Sequence, residues 1–479
     1  MIRIPVVCFL VLIFLSVAPI ITEAQQPPLT LENYLRGVVD FHPVSRQALN
    51  YFVLANAELL ESKGAFDPEL YGYAKAKRFS GSNYYRTLEG GVSYQTPFAL
   101  RAKVGFEEAS GTFLNPMNKV PSAGQFKTEL TLPVGKGLLM DEERARRRIA
   151  GIGVQRAESE RLSLLNELLA NAGYSYWEWV YTVEQRRIYE MVTELAEIRQ
   201  EAVKYSFEFG AKPALDTLEA NIQLRNRRNQ LQQSLLEERQ AIIELTNYLW
   251  TEEGQPDSST FIAPAWDELS PPEMDIIADP SRINTMVTSH PDIRQMTYGL
   301  DQVRVEERLK KEYLKPKADI SFALLGEGWR FAGTPGADNE IPVVLEDNHI
   351  WKISLGFPLF LRSARGALQA NRVKQDQISL KIDQKQLELT NKAEQFNTQL
   401  MQLQRLYEEQ QRIAAEYKLL WEAENEKFNL GKGSLFLINA RESQWIQAEL
   451  KAVKFFAELQ KSYLKRQLAL GILANDYLE

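Results

Sequence analysis

Apolar residues return every three or four positions through two very long stretches of this chain, and every second position through several short ones. The longest uninterrupted stretch runs from Ala367 to Leu430, 64 residues (367 to 430) without glycine or proline. Leu400, Leu403, Leu406, Ile413 and Leu420 mark one stripe along it, which predicts an α-helix of about 96 Å. A counterpart begins near Asp141 and ends near Phe209, with Leu162, Leu165, Leu169, Tyr176 and Val180 spaced alike and only Gly151, Gly153 and Gly173 interrupting. Such stripes fit coiled-coil-like packing better than an isolated buried helix. Both stretches stop at a glycine, Gly210 and Gly431, which takes the left-handed cap conformation without a Cβ penalty. Pro213 and Gly433 follow, so the chain reverses in both places. New helical stretches then run 214–250 and 434–470. These are too short to cover their partners. Helices at about 30–66 and 290–314 supply the missing length if each stacks on the end of one of them.

Between these helices the period changes to two. Residues 69–79 alternate around Leu70, Tyr71, Tyr73 and Phe79, and shorter runs lie near 88–95, 99–108 and 125–132. Residues 318–324 and 350–357 alternate in the second half. Runs of roughly 8–11 such residues cross a bilayer as barrel strands, with lipid on one side and a wet lumen on the other. A soluble, half-buried sheet shows the same alternation. Open sheet edges are not tolerated in lipid, so a chain with this few strands inserts only if several copies share one barrel. The segments 80–87, 109–124 and 327–347 are rich in Gly, Asn, Ser, Asp and Pro and are expected as exposed loops. The proline-rich stretch 251–289 is expected as a surface connection.

The two halves match. His42-Pro43-x-x-Arg46-Gln47 returns as His290-Pro291-x-x-Arg294-Gln295, and Pro68 as Pro316, both at a spacing of 248 (290 − 42, 316 − 68). Motif, spacing and element order together point to a duplicated chain. His42 and His290 are expected as helix-start or packing residues, and Pro133 and Pro358 are expected to mark strand-to-helix transitions.

Composition narrows the function. With 44% hydrophobic and 25% charged residues the 479-residue chain is not a disordered polymer, and a net charge of −7 offers no basic footprint for nucleic acid. Arg3 followed by the apolar run Ile4–Ile21 and Thr22-Glu23-Ala24 has the layout of a secretory signal peptide, with a retained membrane helix as the alternative. The one cysteine, Cys8, lies in that segment, so an exported product has no disulfide. The histidines His42, His290 and His349 are scattered, and no ligand spacing argues for a metal. Nucleophile elbows and phosphate loops are lacking, and Gly135-x-Gly137 reads as a turn. No catalytic residue, cofactor or metal is therefore expected, and the chain is not read as an enzyme. Glu184, Arg186, Glu190, Arg225, Arg227 and Glu237 read as a solvated helix face, with pairwise terms of about 0.2–0.5 kcal/mol.

The order of these features resembles the TolC-like outer membrane efflux proteins. The resemblance is carried by the exported N-terminus, the two His-Pro starts, Leu132-Pro133 and Phe357-Pro358 after strands, and the two glycine reversals. Phe209-Gly210-x5-Asp216-x3-Ala220 is similar to the family's first hairpin pattern, and Gly431-x3-Leu435-Phe436-Leu437-Ile438-Asn439-Ala440-Arg441 to its second. What this implies is a mainly α protein with a membrane β region. Duplicated helical-hairpin and strand repeats would form a trimeric α-barrel continuous with a shared outer-membrane β-barrel. The expected divisions are a signal peptide at 1–24, a first repeat at 25–250, a connection at 251–289 and a second repeat at 290–479.

The resemblance further implies an exit duct of a tripartite efflux pump or type I secretion system in the Gram-negative outer membrane, extending into the periplasm. Its partners would be two further copies of itself, a periplasmic membrane-fusion adaptor, an inner-membrane pump or ABC exporter, and outer-membrane lipid. Gly210, Lys212, Asp216, Gly431, Lys432 and Gly433 are the candidates for the adaptor-contacting hairpins. Tyr205, Glu208, Glu422, Glu424, Glu426 and Lys427 are the candidates for a charged constriction, since rings of side chains select ions in channels. One departure stands out: the family contributes four strands per copy, two per repeat, whereas the first half here holds up to four, with 88–108 resembling an additional hairpin around Pro97. The competing reading is a periplasmic coiled-coil adaptor or scaffold that never enters the membrane.

Overall fold

The computed structural model describes residues 28–257, 261–273, 280–327 and 348–478. The expected signal segment, with Cys8, falls outside the described residues, as do nearly all of the loop at 327–347 and parts of the 251–289 connection. In chain order the elements are α1 (Leu31–Phe41), α2 (Pro43–Gly64), β1 (Glu69–Phe79), β2 (Ser82–Gln95), β3 (Arg101–Ser110), β4 (Gln125–Pro133), α3 (Glu142–Glu208), α4 (Ala214–Thr246), α5 (Pro280–Thr288), α6 (Pro291–Glu312), β5 (Lys317–Glu327), β6 (His349–Gly356), α7 (Arg362–Asn429) and α8 (Leu435–Leu470). The protein is mostly helical, with one small antiparallel sheet.

Helices α3 and α7, of 67 and 68 residues, each extend about 100 Å. Asp141 starts α3 by accepting from Arg144 N–H, satisfying one of the donors a helix start leaves open. α3 is flanked by α2 and α4 on one side and by α6 and α8 on the other, and α7 packs along α6 and α8. The short helices meet end to end, so 22 plus 33 residues in one flank and 22 plus 36 in the other approach the length of a long helix. No described helix is long and apolar enough to cross a membrane. Their buried stripes face one another instead: Leu165, Leu169, Tyr176 and Trp179 of α3 join Tyr34, Leu245 and Phe456 in the largest core cluster.

Each end-to-end joint is built around a His-Pro pair. Proline pushes its predecessor out of the helical region, and His42 (ψ 136°) and His290 (ψ 137°) are extended. This breaks the single helix expected over 30–66 into α1 and α2. The second half repeats the break: α5 precedes His290, where a surface connection without helix is expected from sequence. In both joints the histidine Nδ1 accepts from the backbone N–H two residues on, Val44 or Asp292, at 3.1 Å. The His290 Nε2 lies 3.2 Å from the Leu468 carbonyl at the end of α8, and a carbonyl only accepts. His290 is therefore neutral, with its proton on Nε2. His42 stacks on Tyr248 at 5.8 Å and meets Trp250 edge-on at 6.0 Å, just past the end of α4.

The six strands form one sheet in the order β1-β2-β3-β4-β5-β6, antiparallel throughout. β4 and β5 join the two halves through pairs such as Leu132 with Ile320. The loop expected at 80–87 is instead a tight reversal and the start of β2. Ser80 (φ 48°) and Gly81 (φ 79°) both take positive φ, which matches the right-handed twist of a hairpin and lets Ser82 onward rejoin the ladder. α7 likewise begins at Arg362, continuing through Gly366.

Burial lowers the affinity of both joint histidines for protons, against the raising effect of the Asn247 backbone at His42 and of Asp292 and the Leu468 backbone at His290. The folded state thus binds fewer protons than the unfolded chain below about pH 6.5, so stability rises with pH through that window. It is complete above pH ~6.5 and lost as pH falls. We expect the thermal midpoint in detergent to drop between pH 7.5 and 5.5. A His42→Asn/His290→Asn double variant, which keeps a capping acceptor, is expected to show a flatter pH profile.

Candidate conduit wall and hairpin tip

Register assigns every strand residue to one of two faces. Leu70 opposes Val92, Val92 opposes Val104, Leu130 opposes Phe322, and Phe322 opposes Trp351. One face is therefore largely apolar from β1 to β6, with Arg86, Glu108 and Thr128 among its polar positions. It is also open to solvent in the isolated chain: Leu70 is 83% and Trp351 68% exposed. The other face carries Tyr71, Glu89, Lys103, Glu107, Lys127 and Glu129. Lys103 pairs with Glu89 at 2.7 Å, and its ammonium sits 4.3 Å over the Tyr71 ring. Lys127 reaches Glu129 at 3.2 Å and Glu107 at 3.8 Å, and Arg101 lies 3.7 Å from Asp319. The sheet thus has one largely apolar face and one charged, internally paired face.

About 100 Å away, at the far ends of α3 and α7, lie the two reversals. Gly210 (φ 75°) and Gly431 (φ 71°) occupy the left-handed region. The next residue closes each cap, Ala211 N–H to Ser206 C=O at 2.8 Å and Lys432 N–H to Lys427 C=O at 2.9 Å. This is the glycine cap that satisfies the last carbonyls of a helix. Gly433 is needed for closeness, because a Cβ there would sit 2.8 Å from the Phe428 backbone. The tips touch where the Lys212 ammonium lies 4.6 Å from the Phe428 ring centroid, and Lys212 also approaches Asp216 at 3.9 Å. Around them Phe209, Leu215, Leu430 and Phe436 are exposed.

Of the constriction candidates, Tyr205, Glu208, Glu422, Glu426 and Lys427 are exposed near the tips. Glu424 is not: it is buried on the inner side of α7 and lies 3.6 Å from Lys427. Pro133 ends β4 and Pro358 follows β6.

A site that periodicity did not single out lies about 16 Å from each glycine, eleven residues along the helices. Glu442 of α8 is fully buried and bridges two buried guanidiniums, Arg199 of α3 at 2.5 Å and Arg227 of α4 at 3.4 Å. Asn439 accepts from Arg199 at 3.2 Å and donates to Glu219 at 3.3 Å. Burial lowers the Arg227 pKa, against the pull of Glu442. Arg227 is therefore part of a clasp between the two hairpins, and does not belong to the solvated face expected from sequence. The signal was present. Arg199 lies on the stripe with Val192, Ala196 and Val203, Arg227 on that with Ala220 and Leu224, and Glu442 on that with Leu435, Ile438 and Trp445.

No protein-family profile and no curated protein matches this sequence. Solved structures do match. The CmeC outer membrane channel of Campylobacter jejuni superposes with a TM-score of 0.64 at 13% identity, covering 98% of this chain and 94% of that one. The chain has the TolC-like outer-membrane channel fold. The open state of the Neisseria gonorrhoeae MtrE outer membrane channel aligns at a TM-score of 0.65 and 13% identity, over 92% of this chain and 88% of that one. The outer membrane protein VceC of Vibrio cholerae gives 0.64 and 11%, over 92% and 96%. The channel fold therefore spans nearly the whole chain, with tip and sheet at opposite ends.

Removing the Glu442 charge leaves two buried guanidiniums uncompensated, at a cost of about 3–5 kcal/mol. Glu442→Gln is expected to lower the thermal midpoint in detergent and expose the tip hairpins to trypsin. Glu197→Gln, which breaks an exposed pair with Arg228, is expected to change stability by less than about 1 kcal/mol. Equal effects of the two substitutions would contradict the clasp.

Proposed function

We propose that this protein is an outer-membrane exit duct, a passive conduit in which copies share a β-barrel and their helices continue it across the periplasm. The observation that carries this reading is the sheet: one face largely apolar across all six strands, the other charged and internally paired. A periplasmic adaptor or scaffold has no use for an apolar sheet face of this extent. A lipid-facing wall requires one.

The assembly is read as a trimer in the Gram-negative outer membrane. Exposed apolar residues lie on the outer flanks of the helical layer, Leu49, Val53 and Leu236 on α2 and α4 and Leu380, Leu387 and Leu419 on α7. A flank of one kind meeting a flank of the other makes a heterologous, ring-closing contact. At the tip, Gly210, Lys212, Asp216, Gly431, Lys432 and Gly433 shape the surface offered to a membrane-fusion adaptor, which couples the duct to an inner-membrane pump or ABC exporter. Exposed Tyr205, Glu208, Glu422, Glu426 and Lys427 would repeat three times around the closed end. Efflux of small molecules and type I secretion of polypeptides both fit this construction.

The test is reconstitution of the purified protein in planar bilayers, with the oligomer mass measured in the same detergent. Discrete conductance from a three-copy assembly is the expected result. A protein that neither inserts nor conducts would favour the soluble scaffold.

A further inference from the structure

The four strands per copy implied by the family resemblance do not account for this sheet. Its first half supplies β1 to β4, and the extra hairpin β2–β3 lies in the middle of the ladder, paired to β1 on one side and β4 on the other. We propose that β2 and β3 are wall strands of the membrane barrel, so that each copy supplies six strands and three copies close a barrel of eighteen. This rests on the exit-duct reading and adds the size and composition of the wall.

Three observations carry it. First, the hairpin has the same two faces as its neighbours. Leu88, Val92 and Tyr94 of β2 and Val104 and Phe106 of β3 share the apolar face with Leu130 and Ile320, whereas Glu89, Lys103 and Glu107 share the charged one. A hairpin lying in water beyond the membrane has no reason to continue the apolar band. Second, ion pairs on the charged face run across strand boundaries. Lys103 reaches from β3 to Glu89 on β2 and over Tyr71 on β1, and Lys127 from β4 to Glu107 on β3. At the crossing of β2 and β3, Gly91 opposes Gly105, and a Cβ on Gly91 would sit 2.2 Å from the Val104 carbonyl oxygen, a backbone atom that cannot yield. This close approach leaves room for the Tyr71 side chain, whose hydroxyl would lie 2.4 Å from a Cβ on Gly105. Third, the β2–β3 connection is short and lies on the helix side, while the opposite end carries both the tight Ser80-Gly81 reversal and a long segment. β2 and β3 are joined by the tight turn at 96–100, closed by Thr96 N–H to Leu100 C=O at 2.9 Å, while 111–124 links β3 to β4 at the opposite end. A short turn on the helix side matches the short periplasmic turns of outer-membrane barrels.

Strand parity agrees. β1 leads away from α2 and β6 returns to α7, so β1 of one copy and β6 of the next run antiparallel, as a closed meander needs. Barrel diameter grows roughly linearly with strand number, so eighteen strands give a lumen about one and a half times as wide as twelve, in the range where barrels hold an aqueous channel. The charged face then borders water.

Single cysteines test this directly, because Cys8 is the only cysteine in the sequence. Val92→Cys, Val104→Cys, Ser93→Cys and Glu107→Cys, nitroxide-labelled and reconstituted in phospholipid vesicles, report collisions with oxygen and with a water-soluble nickel chelate. The proposal expects an oxygen-to-nickel ratio several-fold higher at positions 92 and 104 than at 93 and 107, in an assembly whose native mass is three chains. Equal water access at all four positions in a protein that inserts and conducts would overturn the six-strand wall and leave the duct intact. A two-chain mass would close the barrel at twelve strands and overturn the number. Equal water access without insertion would overturn both readings.

Discussion

Backbone N–H and C=O groups have no partner in hydrocarbon other than each other, and each one left unpaired costs several kcal/mol. A sheet with one largely apolar face, whose first and last strands have no partner strand on their outer edges among the described residues, cannot rest in a bilayer alone. In the exit-duct reading we propose, the structure answers that constraint. β1 follows directly from α2 and β6 leads directly into α7, so the two open edges continue into the two helical flanks with exposed apolar residues. A ring of copies that pairs β1 with β6 therefore also pairs α2 and α4 with α7. Sheet closure and helix packing become one contact, repeated at each interface.

The helices meet a different demand: to bridge about 100 Å with side-by-side packing, no described helix being long and apolar enough to cross a membrane. Two chain-long helices do this directly. Their partners are assembled from shorter pieces, joined where a neutral histidine caps one helix and packs on or hydrogen-bonds to the end of another. Such joints place proline where a helix may start but not continue. Toward the tip, the buried Arg199–Glu442–Arg227 group holds α3, α4 and α8 together. A buried ionic group is a poor source of net stability but enforces one arrangement, since a slip of either hairpin strands a charge.

Much of this was legible in the sequence. The helix lengths, both glycine reversals and the six alternating runs follow from period and punctuation. What escaped did so for physical reasons. His42-Pro43 marked a helix start, but the apolar period carries across α1 and α2, so α1 was not separated from the helix at about 30–66. α5 was obscured by the prolines around it. The Ser80-Gly81 turn was hidden inside a polar stretch, where composition suggests a loop but two positive-φ residues make a hairpin. Arg227 was assigned to solvent because charge outweighed position; its place on the Ala220–Leu224 stripe marked it as buried, and only its partner on a helix 215 residues away explains how. Similarly, alternation alone could not separate a lipid-facing wall from a soluble sheet. Register across six strands, with Leu70, Val92, Val104, Leu130, Phe322 and Trp351 on one face and the ion pairs on the other, is what favours the wall.

The central claim is that the open edges β1 and β6 pair between copies. Its most direct measurement is disulfide scanning with one cysteine placed in Tyr71–Lys75 and a second in Ile350–Ser354 of the same chain, oxidised in native membranes. Paired strands bring facing Cβ atoms to about 4.5–5.5 Å, near enough for cross-linking. The account predicts covalent trimers at same-face combinations, alternating along the strand with a period of two, and no product from opposite-face combinations. Membrane-inserted protein that yields no β1–β6 cross-link at any combination, or that cross-links β1 to β1, would contradict it.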